Sequence, residues 1–152
     1  MMRRFILLSL WLLSDLALFI ASYALAYFAK VGWIFSSDLP IGDFLGVVAA
    51  VSPVWLLALI TTRTFGLTRS QGTVRNAAYI AYACVVGAAL VALAYYFVYA
   101  QVFSRLILLT GLVVSAVALW LWHLVFERVA RTVLSSNPPA YPTLVIGVTR
   151  ES

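Results

Sequence analysis

Charge is what this chain has least of. Only 10% of its 152 residues are Asp, Glu, Lys or Arg, where a soluble domain carries about 25%. That scarcity excludes a large water-soluble domain. Cysteine is scarcer still. Cys84 stands alone, so an internal disulfide is excluded and a thiolate metal centre has no companions. His123 is the single histidine, which leaves zinc, haem and iron–sulfur sites without a ligand set. The net charge is +5, but the basic residues form no run with interleaved aromatics. Nucleic acid is therefore not the expected partner, and membrane lipids with anionic headgroups are. No nucleophile–base–orienter set, phosphate loop or carboxylate pair can be found, so no catalytic residue is assigned.

What the chain does have is apolar sequence, 64% of the total. Four stretches are nearly free of charge: 5–29, 44–62, 76–100 and 106–127. A helix needs about 20 apolar residues to cross roughly 30 Å of hydrocarbon. The pattern predicts an all-α membrane protein, a four-helix transmembrane bundle within residues 1–134. Met1-Met2-Arg3-Arg4 before an apolar run resembles a signal peptide, and Ala24-Leu25-Ala26 has the form of a cleavage site. The run is about 25 residues long and contains Asp15, where a signal core spans about 7–15. The first helix is expected to be retained.

Arginine and lysine set the expected orientation. Arg3, Arg4, Arg63, Arg69, Arg75, Arg128, Arg131 and Arg150 fall on one side of a four-pass chain, and Lys30 and Arg105 on the other. The positive-inside rule places both termini in the cytoplasm. Gly32, Ser36, Ser37, Pro40 and Gly42 mark an irregular first loop, with Trp33 and Phe35 at headgroup depth. The second loop, from Arg63 to Arg75, has the composition of a turn lying against phosphates. Tyr95, Tyr96 and Tyr99 at one end of the bundle, and Trp120, Trp122 and His123 at the other, read as aromatic belts. Pro53 is expected to bend the second helix. Small residues recur four apart: Ala17 with Ala21, Ser22 with Ala26, Gly46 with Ala50, Ala83 with Gly87, and Gly111 with Ser115. They suit close helix packing within the bundle or, as the sharper reading, a homodimer face.

Asp15 lies about 15 Å along the first helix, near mid-bilayer, with no basic residue clearly at its depth. An intramembrane acid is a functional candidate by default. The alternative is a structural lock, in which Asp15 bonds polar groups of neighbouring helices. Arg63, Arg69, Arg75 and Arg105 are candidates for lipid phosphate. Against this, the first three suffice as topology determinants, and Ser104-Arg105 suits a helix start. Glu127, Arg128 and Arg131 read as a solvated helix end.

Beyond the fourth helix the composition changes. Residues 135–142 form a proline-rich linker. Residues 143–152 begin with Leu144-Val145-Ile146, a short buried strand, and Gly147, a turn. That is how a Rossmann-like α/β domain opens, and a lone strand is not stable by itself. The expectation is a truncated domain in a fragment of a longer protein, or a vestige of one.

Taken in order, Ser14-Asp15-Leu16, Leu25-Ala26-Tyr27, Phe65-Gly66-Leu67-Thr68-Arg69, Phe103-Ser104-Arg105-Leu106, Glu127-Arg128 and Leu144-Val145-Ile146-Gly147 give nearly the whole chain a resemblance. It resembles the N-terminal membrane region of the large bacterial polyprenyl-phosphate sugar-1-phosphate transferases, which initiate exopolysaccharide, capsule or O-antigen synthesis. The resemblance implies four helices in the bacterial inner membrane, then a Rossmann-like domain, then a cytoplasmic catalytic domain. That last domain uses an Asp-Glu pair and magnesium to load undecaprenyl phosphate from a nucleotide sugar. It has no counterpart in this sequence, so no catalytic residue or cofactor carries over. The partners implied are a cytoplasmic transferase domain, in cis or in trans, and polyprenyl phosphate. Two positions depart from the family: Thr68 stands where an aromatic is frequent, and Val148-Thr149-Arg150 lacks the glycine-rich turn that nucleotide binding needs. A similar region precedes membrane-bound nucleotide-sugar dehydratases. A self-contained four-helix transporter or lipid-carrier flippase, with Asp15 as its coupling acid, is the alternative from another class.

Overall fold

The computed structural model describes residues 2–31, 40–62, 64–65, 71–99 and 104–135. Four helices follow one another: α1 Met2–Val31, α2 Ile41–Thr61, α3 Val74–Tyr99 and α4 Arg105–Ser135. All four are long and apolar enough to cross a membrane, which fits a multi-pass membrane protein. No strand occurs among the described residues. The strand expected over 143–152, the linker beyond Ser135, and Trp33 and Phe35 lie outside them.

The helices form a ring in chain order, α1 against α2 and α4, and α3 against α2 and α4. Trp11 stacks on Phe126 at 4.6 Å and Asp15 meets His123, so α1 and α4 run antiparallel. One end of the bundle therefore carries the N-terminus, the α2–α3 connection and the end of α4. The other carries the α1–α2 and α3–α4 connections. Helix α4 runs two turns beyond the expected stop at 127. Its last turns include an i,i+4 ion pair between Glu127 and Arg131, which supports helix where hydrophobicity has ended. The start of α3 is capped by Thr73, whose hydroxyl accepts from the Asn76 N–H at 3.3 Å. Ser104 stands at the start of α4, where its carbonyl accepts from Ile107 and Leu108.

The bundle is apolar outside and partly polar inside. Along α4 the exposed stripe is Leu109, Val113, Val117, Leu121, Val125, Val129 and Val133, one residue every four. The inward stripe of the same helix is Gly111, Ser115, Leu119, His123 and Phe126. Asp15, Ser22, Ser52, Asn76 and Ser115 are likewise buried. Water would reverse this arrangement; hydrocarbon favours it, because polar groups there must find partners within the protein.

Close packing rests on two glycines. A methyl on Gly87 would come within 2.6 Å of Trp55 Cδ1 and 2.9 Å of Phe19 Cε2. Those two rings stack at 4.1 Å across the centre. A methyl on Gly111 would come within 2.7 Å of Tyr23 Cε1. The small-residue pairs divide accordingly. Ser22 with Ala26, Ala83 with Gly87 and Gly111 with Ser115 are buried, while Ala17 with Ala21 and Gly46 with Ala50 face outward.

Pro53 lies inside α2 and denies Ala49 its helical N–H donor. The Ser52 hydroxyl donates to that same Ala49 carbonyl at 2.8 Å. In hydrocarbon, such a side-chain bond lets a helix tolerate proline.

Candidate functional site

Two patches of buried apolar side chains fill the interior, one around Phe19, Trp55 and Leu119, the other of Leu7, Trp11, Phe126 and Ala130. Asp15 and His123 lie between them in both sequence and space. On α1 the inward positions run Leu7, Trp11, Asp15, Phe19 and Tyr23. The spacing of four carries Asp15 into the core with the aromatics on either side. On α4 the same spacing carries His123 inward after Leu119.

Both side chains are fully buried, and His123 Nε2 lies 2.8 Å from Asp15 Oδ2. Trp11 and Phe65 wall the imidazole, with ring centroids at 4.9 and 5.6 Å. Beside the pair, Trp122 Nε1 donates to Ser14 Oγ at 2.8 Å, and Ser14 donates to the Trp11 carbonyl. This ties α1 to α4 a second time.

The other face of the imidazole meets Gln71, from the α2–α3 connection. Nδ1 is 3.3 Å from Gln71 Oε1, and Gln71 is fully buried. Gln71 Nε2 donates to the Thr64 carbonyl at 3.1 Å. Asn76 Nδ2 donates to Gln71 Oε1 at 2.7 Å and to the Gln71 carbonyl at 3.3 Å. The Gln71 N–H donates to Glu127 Oε2 at 3.0 Å. Thr64 is itself buried, its hydroxyl within 3.4 Å of the Leu59 carbonyl at the end of α2. Every helix thus reaches this cluster or the segment that plugs it.

Backbone carbonyls accept only, so they fix which amide atom of Gln71 and of Asn76 is nitrogen. Gln71 Oε1 is therefore an acceptor, and the His123 nitrogen facing it must be the donor. With Nδ1–H so assigned, one further proton lies between Nε2 and Asp15 Oδ2. Whichever atom holds it, the pair is neutral as a whole. A lone ion at this depth costs a few kcal/mol or more; a neutral, hydrogen-bonded pair avoids most of that.

The remaining sequence candidates are scattered. Arg75 and Arg105 are both exposed, at the starts of α3 and α4 and so at opposite ends of the bundle. Arg63 and Arg69 lie outside the described residues. Among the described residues no group of three or more His, Cys, Asp or Glu side chains gathers as a metal site would require.

Several expectations need correction. His123 is not part of an interfacial belt; it is a core residue and the partner Asp15 was expected to lack. Its neighbours Trp120 and Trp122 obscure this, because two tryptophans beside a histidine have the composition of a headgroup-level belt, although Trp120 packs against the core. Tyr95 likewise turns inward, its ring tilted against that of Tyr99 with centroids 4.8 Å apart, while Tyr96 stays exposed. The second connection does not simply lie on a surface, since Thr64 and Gln71 enter the bundle. Gln71, Asn76, Thr64 and Glu127 were not singled out as a cluster. The one signal for the central pair was the shared register of Asp15 and His123 with their apolar stripes.

No protein-family model, curated protein or solved structure matches this chain.

Proposed function

We propose that this chain is a non-catalytic membrane domain that anchors and orients a sugar-phosphate transferase. The transferase would initiate exopolysaccharide or O-antigen synthesis on undecaprenyl phosphate at a bacterial inner membrane. Both termini, and with them the α2–α3 end, would face the cytoplasm. The ordered resemblance supports the reading, as does the excess of arginine at that end. The observation that carries it against a carrier is the closure of the Asp15 site. A coupling acid must meet water from each side in turn, whereas Asp15 is fully buried, bonded to His123 and plugged by Gln71. Such a lock suits a rigid anchor.

The DNA beyond the Ser152 codon tests the assignment. A sugar-transferase reading frame, in frame or adjacent, supports it, and a complete unrelated gene counts against it. A nucleotide-sugar dehydratase frame would redirect the anchor to that enzyme. One observation favours a second reading: the proton shared by Asp15 and His123 is the kind of group that a proton-coupled transporter or lipid-carrier flippase uses. In reconstituted vesicles such a carrier should lose coupled transport on Asp15→Asn. Unchanged transport in that variant would eliminate it.

A further inference from the structure

At the α2–α3 end, the turn at Gly72 stands off the side of α4 and leaves a cleft of about 230 Å³, lined by Gly72, Leu124, Glu127, Arg128 and Arg131. Gly72 is exposed, and a methyl there would meet only Leu124 Cδ2, at 3.6 Å. Glu127 is already committed. One oxygen accepts from the Gln71 N–H and the other pairs with Arg131. Arg128 has no acid or hydrogen-bond partner for its guanidinium among the described residues. The cleft therefore carries one uncompensated positive charge, beside a second arginine held in place by Glu127.

Its depth follows from α4 itself. Val125, Val129 and Val133 are exposed on the same turns that carry Arg128 and Arg131. A helix end that is apolar on one side and basic on the other sits at the boundary of acyl chains and headgroups. Phosphate oxygens are the anionic acceptors that every phospholipid headgroup places near that depth, and the donor fork of a guanidinium matches their geometry.

We propose that this cleft binds one phosphate group, carried by an anionic phospholipid headgroup or free in solution, through Arg128 with Arg131 beside it. Its lining includes neither Arg75 nor Arg105, and it does not depend on the enzyme assignment above.

The test uses the full chain in phosphatidylcholine nanodiscs containing some phosphatidylglycerol, with retained lipid counted by native mass spectrometry. One phosphatidylglycerol should stay with each chain. Arg128→Gln should lower that retention about fivefold, as expected for the loss of one basic contact at a charged surface. Gly72→Val, which fills the cleft from the other side, should lower it similarly. Lys30→Gln, at the opposite end, should leave it unchanged. Arg128→Gln touches no internal bond, so its result stands even if Gly72→Val fails to fold. Displacement of the lipid by millimolar inorganic phosphate would assign the site to the free anion, and resistance to displacement to the headgroup. Equal retention of the two lipids, or an equal loss in Lys30→Gln and Arg128→Gln, would overturn the proposal.

Discussion

From its middle toward the α1–α2 end, the bundle is closed by rings seated on glycines; toward the α2–α3 end it is closed by hydrogen bonds. Phe19, Trp55 and Tyr23 fill the first region, and their fit depends on Gly87 and Gly111 lacking a side chain. Asp15, His123, Gln71 and Asn76 bond across the second, beside the patch of Leu7, Trp11 and Phe126. In a bilayer there is no hydrophobic force between helices, so shape and polar bonding are the available means of association. Shape is unforgiving of added atoms. A polar network is unforgiving of a missing partner, and removing a whole pair can cost less than removing half of it.

That contrast can be broken experimentally. His123→Ala should have the largest effect, because it strands Asp15 in the core; a loss of about 3–5 kcal/mol is expected for a buried partner left alone. Equilibrium unfolding in mixed micelles would measure it. The double change Asp15→Leu with His123→Leu should recover most of that loss, and a double variant no better than His123→Ala would mean that the pair does more than satisfy itself. Gly87→Ala should cost about 1–3 kcal/mol by overpacking, although it adds only a methyl. Gly42→Ala, at a glycine with open space around it, should be near neutral in the same assay. Gln71→Leu should cost about 1–3 kcal/mol by leaving buried donors of His123 and Asn76 unpaired. It should also speed proteolysis at the α2–α3 connection, which no substitution at Gly87 should do. Apart from the neutral change at Gly42, the smallest effect is expected of Ser14→Ala, which removes the acceptor for Trp122 Nε1 and should cost about 0.6 kcal/mol, the average for a side-chain bond between membrane helices.

The four spans were legible because length and hydrophobicity suffice to recognise a membrane helix, and their bounds shifted by only a few residues at most ends. The extension of α4 to Ser135 was less legible. There the helix continues through Glu127, Arg128 and Arg131, where composition suggests an end but an ion pair one turn apart sustains it. Asp15 stood out because an acid among apolar residues is conspicuous. Its partner did not, because His123 sits in sequence beside two tryptophans that suggest an interface. Gln71 and Asn76 were less visible still: each is an ordinary polar residue near a loop until the loop folds inward.

The amino-acid order by itself determined that four helices form, that they suit lipid, and that Asp15 lies well inside the first of them. Those are local properties, set by the 3.6-residue period and by the cost of exposing backbone to hydrocarbon. Only the tertiary structure decided that Asp15 and His123 face each other at matching height and that a loop glutamine completes the bond pattern. A pairing between residues 108 positions apart depends on antiparallel register and on how closely glycines let the helices approach, neither of which a single helix encodes.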